Sequence, residues 1–477
     1  MKNNVVANAV AALGVTLLIA GCAVGPDYRR PEVAAAAQFK EAPEGWVAAT
    51  PADAVDRGRW WRLFQDAQLD ALAEKVLVDN QNIVAAQAAY QQARSLVREQ
   101  RAGLFPVVSL DVGASRSRNS GGSNNGDGGG SQGTRNSFQA SIGADWEPDV
   151  WGRLRRATTA ADANAQASAA DLANARLSAQ GELVLNYLSL RETDEEIGLL
   201  ERTLQGYERS LQIATNRYKV GVAPRSDLLS AQTQVYNATA DLEGLMLQRD
   251  QLEHAIAVLT GRAPADFDLQ PAGWNAVVPE VPAMVPSTLL LRRPDIASAE
   301  RRLAAANEQI GIQTAGYFPN FGLSASYGKT TSKLSDLFST SSMVWSIGVS
   351  AAQTLFDAGA TGARVEQAQG AYDEAVANYR QVALTAFQNV EDQLSAQRVL
   401  ARQHTLREQA STAADQNEQV VLNQYKAGQV SFTEVVVAQA SALSARRALV
   451  QAALDRQTTA VALIQALGGG WDGNAEP

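Results

Sequence analysis

The groups that could do chemistry in this 477-residue chain are few: one cysteine, Cys22, two histidines, His254 and His404, and four methionines. A zinc site or a nucleophile paired with a base needs several such side chains brought together. One thiol makes no internal disulfide, and the histidines stand isolated on helical patterns. Met1, Met246, Met284 and Met343 form no cluster, so a soft-metal relay lacks parts. No metal, no cofactor and no enzymatic activity are expected. The groups that recur at matched spacing are phenols and carboxylates. Tyr218 and Tyr425 each open a Tyr-Lys-x-Gly turn that closes on Gly221 or Gly428, and Asp227 and Glu434 each stand six residues beyond the glycine. An acid in the first turn of a helix answers the positive end of its dipole. Ser431 and Glu434 also have the spacing of a capping box.

A formal net charge of −9 argues against nucleic acid as partner, since a nucleic-acid binder needs a basic surface to displace phosphate counterions. Cys22 ends an apolar stretch running from Val5 to Ala20 behind Lys2, which reads as a secretory signal and not as structure. Ile19-Ala20-Gly21-Cys22 resembles the lipobox of bacterial lipoproteins, in which the thiol takes diacylglycerol and a peptidase cuts just before it. The mature chain would begin at Cys22. Ala23, where an aspartate would retain a lipoprotein in the inner membrane, leans toward the outer one.

The chain repeats itself at a spacing of roughly 210 residues. AGLFPVVSL around Phe105-Pro106 matches AGYFPNFGL around Phe318-Pro319, SIGADW from Ser141 matches SIGVSA from Ser346, and NRYKVGVAPRSDLLSAQ matches NQYKAGQVSFTEVVVAQ. Each half reads helix, Phe-Pro, strand, loop, strand, long helix, turn, helix. The period is that of a duplication, not of a solenoid.

Four strands alternate cleanly. Val108, Leu110, Val112 and Ala114 oppose Ser109, Asp111, Gly113 and Ser115; Phe138, Ala140, Ile142, Ala144 and Trp146 oppose Ser137, Gln139, Ser141, Gly143 and Asp145. In the second half Phe321, Leu323, Ala325 and Tyr327 share a face, as do Met343, Trp345, Ile347, Val349 and Ala351, with Val344 the one lapse. A tilted strand of about 9 to 11 residues crosses a bilayer. Four strands cannot close a barrel, and lipid tolerates no open edge, so several copies must share one. Stretches from Gly152 to Tyr218 and from Gly359 to Tyr425 are free of proline and rich in Ala, Leu, Gln and Glu. As single helices each would span about 100 Å, followed by a turn and a second helix, Pro224 to Leu259 or Ser431 to Leu467. Small alanine-rich contact positions suit a laterally packed wall of helices.

With these features in place the chain resembles the TolC-type outer-membrane efflux channels, in their lipoprotein subgroup similar to OprM. Four motifs carry the likeness: CAVGPDYRRP after the lipobox, LLLRRPDIASAERRLAAANEQIGIQTAGYFP, LFDAG at Leu355, and the paired Tyr-Lys-x-Gly turns. The resemblance implies a mostly α fold with a membrane β-barrel. A homotrimer would share a twelve-stranded barrel in the outer membrane, four strands per chain, continued by a long α-helical barrel across the periplasm. It further implies a periplasmic membrane-fusion adaptor and an inner-membrane resistance-nodulation-division pump as partners. The duct would passively conduct drugs or other small toxic compounds. By the same likeness Asp227, Glu434, Tyr425 and Tyr218 lie at a periplasmic gate, with a Tyr425 to Asp227 bond. Val437 and Val430 replace an acid and a gate arginine found in many relatives.

The implied organisation is a signal peptide (1–21), an anchored segment (22–66), helices (67–106), a first β-hairpin (107–146), a first long helical hairpin (147–261) and a Pro-rich connector (262–286). There follow a helix (287–319), a second β-hairpin (320–352), a second helical hairpin (353–467) and a tail (468–477). Two other readings compete: the outer channel of a protein-secretion system, and a lipid-anchored structural coiled-coil protein.

Overall fold

The computed structural model describes residues 23–33, 38–41, 59–118, 134–280, 293–338 and 343–469. Cys22 lies outside the described residues, as do the end of the Pro-rich connector and residues 470–477 of the C-terminal tail. The elements run α1 (Ala67–Asp79), α2 (Gln81–Ala102), β1 (Val107–Arg118), β2 (Thr134–Trp146), α3 (Arg153–Lys219), α4 (Arg225–Leu259), α5 (Pro294–Thr314), β3 (Asn320–Thr331), β4 (Met343–Ala352), α6 (Ala360–Lys426) and α7 (Phe432–Ala466). No helix among the described residues is long and apolar enough to cross a membrane.

The duplication is visible in the element lengths. Helices α3 and α6 have 67 residues each, and α4 and α7 have 35 each. Both long helices start directly after a glycine with positive φ, Gly152 at 79° and Gly359 at 91°, a conformation that costs other residues Cβ strain. An aspartate caps each start. Asp149 accepts from the N–H groups of Leu154 and Arg155, both at 2.9 Å, and Asp357 of the LFDAG motif accepts from Thr361 N–H at 2.8 Å.

Contacts divide the chain into two compact units. The first comprises residues 1–31, 91–167 and 300–378. It holds an antiparallel sheet in the order β1-β2-β3-β4, so the two hairpins of the duplication join through β2 and β3. The strands have 12, 13, 12 and 10 residues, slightly longer than the alternation suggested. Register carries one row straight across: Leu110 pairs with Ile142, Ile142 with Tyr327, and Tyr327 with Trp345. The apolar sets of all four strands therefore fall on one face. The next row, Asp111, Ser141, Gly328 and Val344, falls on the other, which is where Val344 breaks the pattern. Ser326 and Ser346 bond across that polar face at 2.9 Å.

The same unit clamps the segment that follows Cys22. Val24 N–H donates to the Trp151 carbonyl at 3.1 Å. The Arg156 guanidinium binds the Gly25 and Pro26 carbonyls at 3.2 Å and Glu308 at 2.7 Å, while Tyr28 donates to Glu300 at 2.5 Å. Gly25, with φ of 106°, lies so close that a Cβ there would stand 2.5 Å from Gly311 Cα.

The second unit comprises residues 32–90, 168–299 and 379–477. Its core gathers Trp60, Trp61 and Phe64 with Leu69, Leu72 and Val76 of α1, Leu183, Val184, Tyr187 and Leu190 of α3, Ile256 of α4 and Val461 of α7. Around this core Arg191, 1% exposed, bonds Asp194 at 2.8 Å, Gln68 at 2.6 Å and the Gln270 carbonyl at 3.0 Å. Arg249 reaches the same Asp194 at 2.8 Å. Two guanidiniums thus share one buried carboxylate, which satisfies charges that would otherwise be costly to bury.

Candidate functional site

Two features stand apart from core packing: the outer face of the sheet in the first unit and the helix-hairpin turns in the second. On the sheet, apolar side chains are fully presented to the surroundings. Ile347 and Val349 are each 76% exposed. Strands β1 and β4 each pair on one side only within the described residues. A large exposed apolar face of this kind marks a surface that meets lipid or another protein.

At the turns, geometry follows from glycine. Helix α3 ends at Lys219, and Gly221 with φ of 75° lets the N–H groups of Gly221 and Val222 turn back to the carbonyls of Tyr218 and Arg217, both at 2.9 Å. Pro224, extended at φ −72° and ψ 160°, then stands at the N-cap of α4. The second copy repeats this: Gly428, φ 78°, returns its N–H to Tyr425 at 2.9 Å and Gln429 returns its own to Gln424 at 2.9 Å. A Cβ at either glycine would meet nothing within 4 Å, so the backbone angle and not crowding demands glycine.

Of the residues singled out in sequence, Tyr425 is buried and Tyr218 is 41% exposed. Asp227 is half-buried in the first turn of α4, and Glu434 is exposed in the first turn of α7. Glu434 turns back on Ser431, accepting from its N–H at 3.5 Å and its hydroxyl at 3.4 Å. It acts as a cap in this chain, through long and therefore weak bonds.

The bond expected between Tyr425 and Asp227 is not formed. The Tyr425 ring turns into an apolar cluster with Phe432, Val435, Ala214 and Ala231, and its hydroxyl is buried without a partner. Its partner is a residue that sequence reasoning missed. Arg217, from the other hairpin, lies 4.7 Å over the Tyr425 ring centre and donates to the Tyr425 carbonyl at 2.9 Å. A signal existed in the departure between copies, since Arg217 occupies the place that Gln424 holds in the second turn. Burial raises the Tyr425 phenol above its ordinary value, with the Arg217 charge opposing and the Asp227 charge adding to the shift.

Beyond the turns, α7 is tied to its neighbours by polar contacts. Gln439 donates to Ser210 of α3 at 3.2 Å, and Arg446 bonds Asp415 and Glu418 of α6, both at 2.7 Å. A groove of about 800 Å³ lies between α4 and α7, lined by Thr233, Asn237 and Asp241 on one side, Ser444 and Arg447 on the other, and Tyr207 of α3. Helices near the turns are thus held by exchangeable hydrogen bonds and ion pairs as well as by apolar contacts.

A family model described as outer membrane efflux protein matches residues 72–262 and 285–469. The chain belongs to the outer membrane efflux protein family. It is similar to "Probable efflux pump outer membrane protein TtgC" of Pseudomonas putida, 31% identical over 465 residues, covering 96% of this chain and 95% of that protein. It is also similar to "Outer membrane protein OprJ" of Pseudomonas aeruginosa, 29% identical, covering 97% and 96%. Among solved structures, the outer-membrane channel OprN superposes with a TM-score of 0.85 at 31% identity, covering 94% of this chain and all of that one. Family membership gives the exposed face and the paired turns their context. This is an outer-membrane efflux channel chain, contributing four strands to a β-barrel and long helices to a helical barrel; the family is one of channels and not of enzymes.

Proposed function

We propose that three copies of this chain close one twelve-stranded barrel in the outer membrane and continue it as a helical duct. The duct is the passive exit of a tripartite efflux system. A periplasmic adaptor and an inner-membrane resistance-nodulation-division pump deliver drugs or other small toxic compounds to it. The observation that carries this reading is the sheet: one exposed face with a continuous apolar band and, within the described residues, one unpaired side on each of β1 and β4. In hydrocarbon those N–H and C=O groups find partners only in another copy. The name of the relative TtgC, that of an efflux pump outer membrane protein, supports the export role.

In this reading Cys22 carries the lipid anchor, and the clamp on residues 24–28 holds the anchored end against α3 and α5. Asp227, Glu434, Tyr425 and Tyr218 lie at the periplasmic gate, shaped by Gly221 and Gly428, and Arg217 takes the linking role expected of the Tyr425 hydroxyl. The test is the mass of the detergent-solubilised particle together with its conductance in a planar bilayer. Three chains per particle, and channels that open more on neutralising Asp227 and Glu434, are expected. A compact, non-conducting monomer overturns the reading. Mass spectrometry of the N-terminal peptide tests acylation of Cys22 separately.

A further inference from the structure

The apolar face of the sheet does not stay apolar to its end. On β1, the positions that follow Val108, Leu110, Val112 and Ala114 on the same face are Arg116 and Arg118. On β3, Lys329 follows Phe321, Leu323, Ala325 and Tyr327. Both strands run away from a helix and toward a loop, so all three cations lie in the half of the sheet remote from the helices, Lys329 in the row of Val112 and Ala140, and Arg116 and Arg118 two and three face rows beyond. Register places Lys329 against Ala140 and Met343, one face row beyond the Tyr327 and Trp345 pair, and Arg116 against Asn136.

Charge on the strands is sorted by face. Asp111 and Asp145 lie on the polar face, and no carboxylate lies on the apolar one. Among the described residues no ion pair engages Arg116, Arg118 or Lys329. Unpaired cations on a lipid-facing surface are costly unless they reach the interface and meet an anion there.

We infer that Arg116 and Arg118 on one side and Lys329 on the other seat the separate phosphoryl groups of one anionic lipid headgroup in the outer leaflet, whose acyl chains lie along Leu110 and Tyr327. The partner must be an amphiphile, because the cations border directly on an apolar band with an aromatic pair at its edge. Two guanidiniums favour phosphoryl groups, which accept paired N–H donors. This seat rests on the barrel reading above.

The experiment uses the full-length protein in mild detergent, titrated with lipid A bisphosphate or with its dephosphorylated form, and counts bound lipid by native mass spectrometry. A basic residue at a membrane surface gains about fivefold in anionic lipid affinity, so R116Q/R118Q/K329Q is expected to weaken lipid A bisphosphate binding by roughly a hundredfold. The charge-keeping R116K/R118K/K329R should bind more tightly than the glutamine variant yet less tightly than the unaltered chain, having lost the paired N–H donors, and the opposite-face R135Q should bind as the unaltered chain does. Equal binding by the glutamine variant, or equal binding of the two lipid forms by the unaltered chain, overturns the inference. Bilayer conductance is recorded in parallel. An unaltered chain that conducts but shows no phosphate preference sinks the lipid seat alone, whereas one that neither inserts nor conducts sinks the duct and the seat together.

Discussion

Arg217→Ala removes a guanidinium that spans the two hairpins of the chain at their turns. Two interactions are lost, the charge-assisted bond to the Tyr425 carbonyl at 2.9 Å and the contact with the Tyr425 ring at 4.7 Å. Arg217 is half-buried, so the lower end of each range applies: about 1.5 kcal/mol for the bond and about 0.5 kcal/mol for the ring. The sum of about 2 kcal/mol corresponds to a factor of roughly 30 in an equilibrium constant. If opening the tip parts the hairpins, that factor appears as a rise in the open fraction of single channels in planar bilayers. Arg217→Lys keeps the charge but loses the planar stack, and is expected to produce a smaller rise. Raising the salt concentration should move the unaltered channel in the same direction. The reasoning is refuted if Arg217→Ala gates like the unaltered protein while Asp227→Asn opens the channel, because the carboxylate and not the guanidinium would then hold the tip.

Two further perturbations probe other parts of the chain. Arg156→Ala leaves Glu308 with a buried, unpaired carboxylate, removes the guanidinium donor of the Gly25 carbonyl and leaves Pro26 only its bond from Asn307, a cost of about 3 kcal/mol. Trypsin should then cleave after Arg29 faster than in the unaltered protein, and an unchanged digestion rate would show that the clamp does not hold the segment. Glu192 of α3 is pushed up to about 7 by burial, with Glu196 and Asp455 adding and Arg447 opposing. A raised carboxyl favours the protonated folded state, so its contribution is full below pH 4.5 and is lost as pH rises to about 7. Glu192→Gln should flatten that part of the stability profile and make the protein more stable than its parent at pH 8, read by thermal melting; equal pH dependence in both proteins would count against it.

How much of this was legible in sequence differs by element. The long helices were, because long proline-free runs rich in Ala, Leu, Gln and Glu favour helix throughout, and α3 and α6 start one residue after Gly152 and Gly359. The strand faces were legible too, since a period of two is written directly in the side chains. Glu434 as a cap followed from its spacing to Ser431. What escaped was the partner of Tyr425. Phenol and acid spacing suggested a bond to Asp227, whereas the ring lies in an apolar cluster and an arginine two hundred residues away covers its face.

Sequence by itself determined the duplication, the elements, and the two-faced character of each strand, because these depend on near neighbours along the chain. Tertiary structure alone decided that β2 pairs with β3, so that Leu110, Ile142, Tyr327 and Trp345 share one row, and that Arg217 meets Tyr425. Alternation says which side chains share a face within a strand, yet nothing in it sets the register between strands distant in sequence. That register is chosen by long-range hydrogen bonding and by the requirement that every apolar set fall on the same side.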